Sequence, residues 1–268
     1  MARTTRLRRI TALASLVLLP GLLLAACGDD DEPTASADDL ELVSDGSLTV
    51  CSDTPYEPFE YQEDGEHTGY DMDLLRAVAE NADLDFEVKD LPFDGILASL
   101  AAGDCDVVAS AVTINDERAE QVDFTEPYFD ADQSLLVKAD QAGELADLAA
   151  LSGKTIGVQA GTTGETYANE NAEGAEVESF EDSDGLFGAI ESGDIDAILQ
   201  DLPVNAYRTT QDDSLEVVET YPTGEQYGFA VEKGKASVLA LLNDGLEALR
   251  DDGTFDEIYS TYFGDAGD

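Results

Sequence analysis

The run DVVASAVTINDER, Asp106 to Arg118, decides how the chain is read. Asp106 to Ala109 has the make-up of a short buried strand. It gives way to Ser110, Ala111 and Thr113 and ends on Arg118. Acidic residues outnumber basic ones 60 to 13, so a surface arginine is scarce here. A guanidinium beyond the C-terminal end of a strand is shaped to take a carboxylate in two parallel hydrogen bonds. The backbone of Ala111 and Thr113 and the hydroxyls of Ser110 and Thr113 would serve the rest of a small zwitterion. The other reading pairs Arg118 with Asp116, Glu117 or Glu120 on a helix surface, and this stretch alone leaves both open.

Upstream, Leu48 to Ser52 reads as a buried strand, broken by Asp53-Thr-Pro-Tyr-Glu-Pro-Phe59. Two prolines force a loop at the strand's C-terminal end, where parallel sheets carry ligand loops. Tyr56 and Phe59 need apolar partners there, from a ligand or from the core. Asp71 to Glu80 has apolar residues at 72, 74, 75, 78 and 79, a helix stripe that places Met72 in the core. Phe86 to Lys89 is a strand, Pro92 to Gly95 a turn, and Ile96 to Ala102 a helix stopped by Gly103. With the opening stretch this makes β-α-β-α-β, a doubly wound layer.

Downstream, Gln133 to Lys138 is a strand and the pattern restarts. A helix over 142–151 and a strand over 154–159 lead into Gly161-Thr-Thr-Gly164 and a helix over 165–171. Val177 to Phe180, Gly185 to Ser192 and Ile195 to Leu199 read as strand, helix and strand, ending on Gln200-Asp201. A strand over 226–232 and helices over 236–250 and 254–262 close the chain. The glycine-flanked turn opens a helix, so its free N–H groups favour a carboxylate; an ordinary turn with a threonine N-cap fits equally. Asp201 is placed to take an ammonium, or else to cap the helix starting at Leu202-Pro203. Two such layers set a cleft between two lobes, with Arg118 and Asp201 facing across it.

The 268 residues allow one large core or two modest ones. The net charge of −47 repels nucleic acid and anionic lipid, which excludes both as partners. It also repels itself unless salt screens it, a balance resembling proteins of salty habitats but found for solubility too. Cys27, Cys51 and Cys105 with one histidine fit no zinc or redox spacing, so no metal and no cofactor is expected. Gly153-Lys154-Thr155 lacks the earlier glycine of a phosphate loop, since Leu148 stands there. No nucleophile motif is present, and binding is the chemistry left over.

Residues 1–27 read as an export signal: Arg3, Arg6, Arg8 and Arg9, an apolar run, then Leu24-Ala-Ala-Cys27, which resembles a bacterial lipobox. Such a signal implies lipidation of Cys27. Residues 28–45 have the acidic make-up of a disordered tether. The export path, general or twin-arginine, stays open.

The chain as a whole resembles the family-3 extracellular solute-binding proteins, amino-acid receptors of ABC importers. The resemblance covers about residues 47–264 and rests on SDTPYEPFEY, GYDMDLLRAVAE, PFDGILASLAAGDCDVVASAVTINDERAEQVDFTEPY, GKTIGVQAGTTGETYA, GDIDAILQDLP, GEQYGFAVEKG and DDGTFDEIYSTYFG. It implies an α/β, type II periplasmic-binding-protein fold: two α/β lobes joined by two crossover strands near 136–139 and 222–227, with a ligand cleft between. Lobe 1 would hold residues 46–136 and 226–268, and lobe 2 residues 137–225.

The resemblance also assigns roles. Arg118 would hold the ligand carboxylate, with Ser110, Ala111, Thr113 and Thr163 around it and Gln159 close by. Asp201 would hold the α-ammonium. Asp53, Tyr56 and Phe93 would form the side-chain slot, with Gln159 and Gln200 in it. That slot has no second basic residue, so a polar neutral or cationic amino acid is expected, Asp71 adding to the cationic preference. The departures are Cys51 in place of a small residue and Gly164, which leaves no side chain where some relatives present one. Cys51 and Cys105 lie near neighbouring strands of an exported protein and are either bonded or free.

The function implied is the extracytoplasmic substrate-binding component of an amino-acid importer. It would be a monomeric lipoprotein with an acidic surface, held at the outer face of the membrane by its N-terminal lipid and delivering its amino acid to the permease. A non-enzyme is expected. The alternative on the same fold is a periplasmic cyclohexadienyl dehydratase acting on arogenate or prephenate, for which the alignment points to no general acid.

Overall fold

The computed structural model describes residues 40–264. The export segment 1–27 with Cys27, most of the acidic stretch 28–45, and residues 265–268 lie outside the described residues.

The first sheet grows around β1 (Ser47–Ser52), all six of whose residues are buried. A strand buried on both faces cannot alternate, which is why Leu48 to Ser52 reads as a run rather than a stripe. The chain leaves β1 through a hairpin, β2 (Tyr61–Glu63) and β3 (Glu66–Thr68), and enters α1 (Tyr70–Asn81). Helix α1 buries Met72, Leu74, Leu75, Val78 and Ala79, the positions its sequence spacing marks. There follow β4 (Asp85–Asp90), α2 (Ala98–Ala102), β5 (Val107–Val108), α3 (Asp116–Ala119) and β6 (Val122–Phe124).

The second sheet begins with β7 (Phe129–Lys138), continues through β8 (Thr155–Gln159), α4 (Thr163–Asn171), β9 (Glu176–Phe180) and α5 (Ser183–Ser192), and reaches β10 (Ala197–Asp201). Helix α6 (Leu202–Gln211) and the long strand β11 (Leu215–Tyr227) complete it. The chain then returns to the first sheet as β12 (Ala230–Glu232) and ends in α7 (Ala236–Asp252) and α8 (Thr254–Phe263).

The sheet orders are β4-β1-β5-β12-β6 and β11-β7-β10-β8-β9. In the first, β1 runs parallel to β4 and β5, and β12 antiparallel to β5 and β6. In the second, β8 runs parallel to β9 and β10, and β7 antiparallel to β10 and β11. The fold is thus two α/β units of mixed sheet, as expected.

The first passage between the sheets lies earlier than residues 136–139. Phe129 to Lys138 is one strand of the second sheet throughout, its first residue paired with Tyr227. The connecting stretches run side by side: Tyr128 N donates to Tyr227 O at 3.0 Å, and Thr125 N to Phe229 O at 3.0 Å. Two other elements are shorter than their sequence suggests. Residues 142–151 give one 3-10 turn, Leu148–Leu151, capped by the Asp147 side chain, instead of a helix; another 3-10 turn, Ala139–Gln141, precedes them. Residues 93–98 make turn bonds around Gly95 before α2 starts.

Cys51 and Cys105 form a disulfide with Cα atoms 5.8 Å apart, inside the range a disulfide spans. Cys51 pairs with Val108 in the β1–β5 register, and Cys105 lies two residues ahead of β5, within reach of it. Among the described residues no helix is long and apolar enough to cross a membrane, and no group of His, Cys, Asp and Glu is placed to hold a metal ion.

Candidate ligand-binding cleft

Parallel strands present their C-terminal ends to one side of a sheet, and here both sheets turn those ends toward each other. From the first sheet, Asp53 follows directly on β1, the loop after it carries Tyr56, and the 92–97 turn carries Phe93. Beyond β5 come Ser110, Ala111 and Thr113, then Arg118 on α3. From the second sheet, β8 ends on Gln159, α4 opens with Thr163, and β10 ends on Asp201. All of these expected residues, and Thr162, line one narrow cavity.

Arg118 is tied by backbone oxygens and not by acids. Its Nη1 donates to Thr113 O at 2.8 Å and its Nη2 to Gly161 O at 3.2 Å, from the second sheet's side. The guanidinium carbon stands 5.4 Å from the centre of the Phe93 ring. No carboxylate lies within salt-bridge distance of it among the described residues, so pairing with Asp116, Glu117 or Glu120 is not what the structure shows. Burial pulls its pKa down, and the carboxylates of Asp201 and Glu225 act against that. A guanidinium remains charged under such a shift and keeps donors for an incoming anion.

Asp201 does not cap α6, which starts at Leu202-Pro203 with no side-chain cap. Its carboxylate accepts from Tyr227 Oη and Gln133 Nε2. Burial, then the charge of Glu225, raises its pKa to about 6, and the hydrogen bonds from Tyr227, Gln133 and Tyr56 oppose the rise. Asp53 is likewise raised to about 6 by burial, against a 2.6 Å hydrogen bond from Gln159 Nε2.

Beneath the cavity floor lies a second acidic layer. Ser110 Oγ accepts from Asp53 N at 3.1 Å and donates to Glu60 at 2.8 Å. Ala111 adopts φ +45°, in the left-handed region, and its N–H donates to Asp71 at 2.9 Å. Asp71 also accepts from Tyr128 Oη at 2.7 Å. Burial raises Asp71 to about 7 and lifts Glu60 well above the usual carboxylate range, helped there by the charge of Asp71. Both residues are fully buried and neither lines the cavity, so Asp71 sits under the floor instead of facing a cationic ligand.

At the Gly-Thr-Thr-Gly turn the structure shows the threonine N-cap, and the Gly161 N–H donates to Glu165 at 2.8 Å. Thr162 is the N-cap of α4, its hydroxyl accepting from Glu165 N at 3.1 Å, and it also lines the cavity. Gly161 has φ +76°, and a Cβ there would stand 3.1 Å from Asp94 Oδ1, so backbone geometry and close approach both call for glycine. Tyr56 lines the cavity, whereas Phe59 belongs to the core, with ring centres of Phe129 and Tyr227 5.0 and 5.2 Å away. Gln200 is buried but does not line the cavity: alternate residues of a strand face opposite ways, and Asp201 takes the cleft side.

Sequence reasoning missed Gln133, Glu225 and Tyr227. Gln133 Nε2 bridges Asp201 and Glu225, and Glu225 accepts from Thr113 and Thr163. The signal was the stretch GEQYGF entering the second connection between the sheets, where a side chain reaches both lobes.

Residues 48–265 match the family model for bacterial extracellular solute-binding proteins, family 3. The chain belongs to that family. A probable histidine-binding protein of Neisseria gonorrhoeae is 31% identical to it over 95% of this chain and 96% of that protein. An ancestral arginine-binding protein, solved bound to glutamine, matches with a TM-score of 0.78 and 37% identity, over 82% of this chain and 99% of that one. The ancestral amino acid-binding protein AncCDT-1, a precursor of cyclohexadienyl dehydratase, matches with a TM-score of 0.77 and 36% identity, over 81% and 96% of the two chains. As a family-3 solute-binding protein this chain has its cleft where its sheets oppose their strand ends, and its relatives named here are binding proteins.

Proposed function

We propose that this solute-binding protein takes an amino acid, cationic by preference, into the interlobe cleft and delivers it to the membrane subunits of an ABC importer. The charge inventory of the cavity carries this reading. Arg118 supplies the one positive group and meets the α-carboxylate. Asp201 meets the α-ammonium, leaving Asp53 at the side-chain end with no basic partner lining the cavity. A guanidinium, ammonium or imidazolium on the ligand fills that vacancy in charge, and a carboxylate is repelled. Relatives named for histidine and arginine binding support the same preference.

Gln159 gives a specific reason to place glutamine second. Its amide already satisfies Asp53, so a ligand carboxamide can take the same seat. The protein works as a monomer at the outer face of the cell membrane, held by a lipid on Cys27, and binds without turnover.

Calorimetric titration of the purified protein with the amino acids tests the reading. Arginine, lysine or histidine should bind most tightly, glutamine less so, and aspartate and glutamate hardly at all. Tight glutamate binding would overturn the charge argument, and conversion of arogenate or prephenate would overturn the binding-only role.

A further inference from the structure

Glu225 reaches into the site from β11, at the point where the β7–β11 register shifts between Tyr221 and Glu225. It does not line the cavity that holds Arg118 and Asp201. It stands behind it, toward a groove lined by Phe129, Leu202, Pro203 and Gly224. One of its oxygens, Oε2, accepts from Thr113 Oγ1 and Thr163 Oγ1, each at 2.7 Å. The other, Oε1, accepts from Gln133 Nε2 at 3.1 Å. Thr113 belongs to the first sheet's loops and Thr163 to the helix after β8, so one carboxylate joins hydroxyls from both sides of the cleft.

We propose that Glu225 is a positioning residue that makes the Thr113 and Thr163 hydroxyls acceptors toward the ligand, and so selects an α-ammonium. A hydroxyl has one proton and two lone pairs. With its proton given to Glu225, the Thr113 oxygen offers the cavity lone pairs alone. Thr163 Oγ1 does the same, one of its lone pairs being shared with Gln133 Nε2 at 3.4 Å. Together with the Asp201 carboxylate, which lines the same cavity, they form a wall of acceptors, while Arg118 supplies donors. An ammonium brings three donors and no acceptor, which suits such a wall; a ligand without that group leaves it unsatisfied. Without the Glu225 carboxylate the two hydroxyls are free to rotate and donate, and the wall loses its single polarity. Gln133 would lose an acceptor at the same time, loosening its hold on Asp201.

This inference rests on the reading of the site as an amino-acid cleft, and the experiment separates the two. L-arginine and 5-guanidinopentanoate, which is arginine without its α-amino group, are titrated into wild type and Glu225→Gln by calorimetry. The same is done with L-glutamine and 4-carbamoylbutanoate. In wild type the amino acid should bind far more tightly than its des-amino partner. In Glu225→Gln the amino acid should weaken by about tenfold or more and the des-amino acid by much less, so that discrimination narrows. Equal weakening of both ligands marks a merely structural role and overturns the proposal, as do unchanged affinities. If Glu225→Gln melts below the assay temperature, Thr113→Val and Thr163→Val carry the test, and unchanged discrimination in both overturns it. A wild type that binds no amino acid ends the underlying reading and this proposal with it. A wild type that binds one, with discrimination intact in the variants, ends this proposal alone.

Discussion

Gln159 Nε2, at the end of β8 in the second sheet, donates a 2.6 Å hydrogen bond to Asp53, at the end of β1 in the first. The Arg118 to Gly161 bond and the Thr113 to Glu225 bond also join residues from the two sheets' sides. The cleft is therefore bridged by its own polar groups. Under the proposed function, a ligand would have to replace the Asp53 to Gln159 contact with its own side chain.

Arg118 should dominate affinity. Charge-assisted hydrogen bonds contribute roughly 1.5–3 kcal/mol each, against about 8 kcal/mol for micromolar binding. Arg118→Ala should weaken amino-acid binding by about tenfold to a hundredfold or more. Arg118→Lys should not restore it, because an ammonium cannot reproduce the planar fork. Calorimetry on the three proteins checks this, and full affinity in either variant refutes it.

Binding should release protons and strengthen as pH rises from about 5 to 7. Asp53 and Asp201 each have a pKa raised to about 6, and a cation seated against a carboxylate lowers it again. The free protein thus holds more protons than the complex in that window. Titrations in two buffers of different ionisation enthalpy measure the release directly.

Stability of the free protein should move the opposite way. Asp53, Asp71 and Asp201 titrate at about 6, 7 and 6 in the folded state, above their unfolded values near about 4, and Glu60 is raised further. Between these limits the native state binds more protons than the unfolded one, so stability is greatest below about pH 4 for these groups and is lost as pH rises through about 7. The ligand-free melting temperature should fall from pH 5 to pH 8. A rise would show that the surface acids outweigh the buried ones.

Salt should stabilise the fold. At a net charge of −47 self-repulsion is large, and the Debye length shortens from about 8 Å at 0.15 M to about 3 Å at 1 M. A melting temperature that stays level or drops between those NaCl concentrations would contradict adaptation to salt.

The Cys51–Cys105 bond closes a sequence separation of 54 residues. Replacing both cysteines with alanine should lower stability by about 2–4 kcal/mol, read as an earlier midpoint in urea. Two free thiols in the unreduced protein would show that the bond does not form.

Much of the fold and cleft was legible because burial writes itself into sequence. β1 reads as an uninterrupted run and α1 as a stripe, each because of the faces it buries. The residues lining the cavity stand out because they follow strands at their C-terminal ends, among them an arginine in a chain with few. Phe129 to Asp132 was not read as strand, since two aspartates hide the start of β7, and so the first passage was placed too late. Glu225 was invisible for a different reason. In a chain with 60 acidic residues one more carries no information, and its partners lie 112 and 62 positions away. Gln200, which the resemblance puts in the slot, faces away from the cavity because strand alternation turns it opposite to Asp201.

In the first sheet β12 lies between β5 and β6, so the sheet begun at Ser47 gains an inner strand only at Ala230. Every strand of the second sheet comes from the intervening residues, Phe129 to Tyr227. A chain emerging N-terminus first therefore completes the later sheet before the earlier one. Until its last segment arrives, β5 and β6 have open hydrogen-bonding edges facing a gap, the kind of edge that recruits another chain. The order of synthesis and the order of assembly run against each other in this protein, and the final forty or so residues decide whether the first sheet is whole.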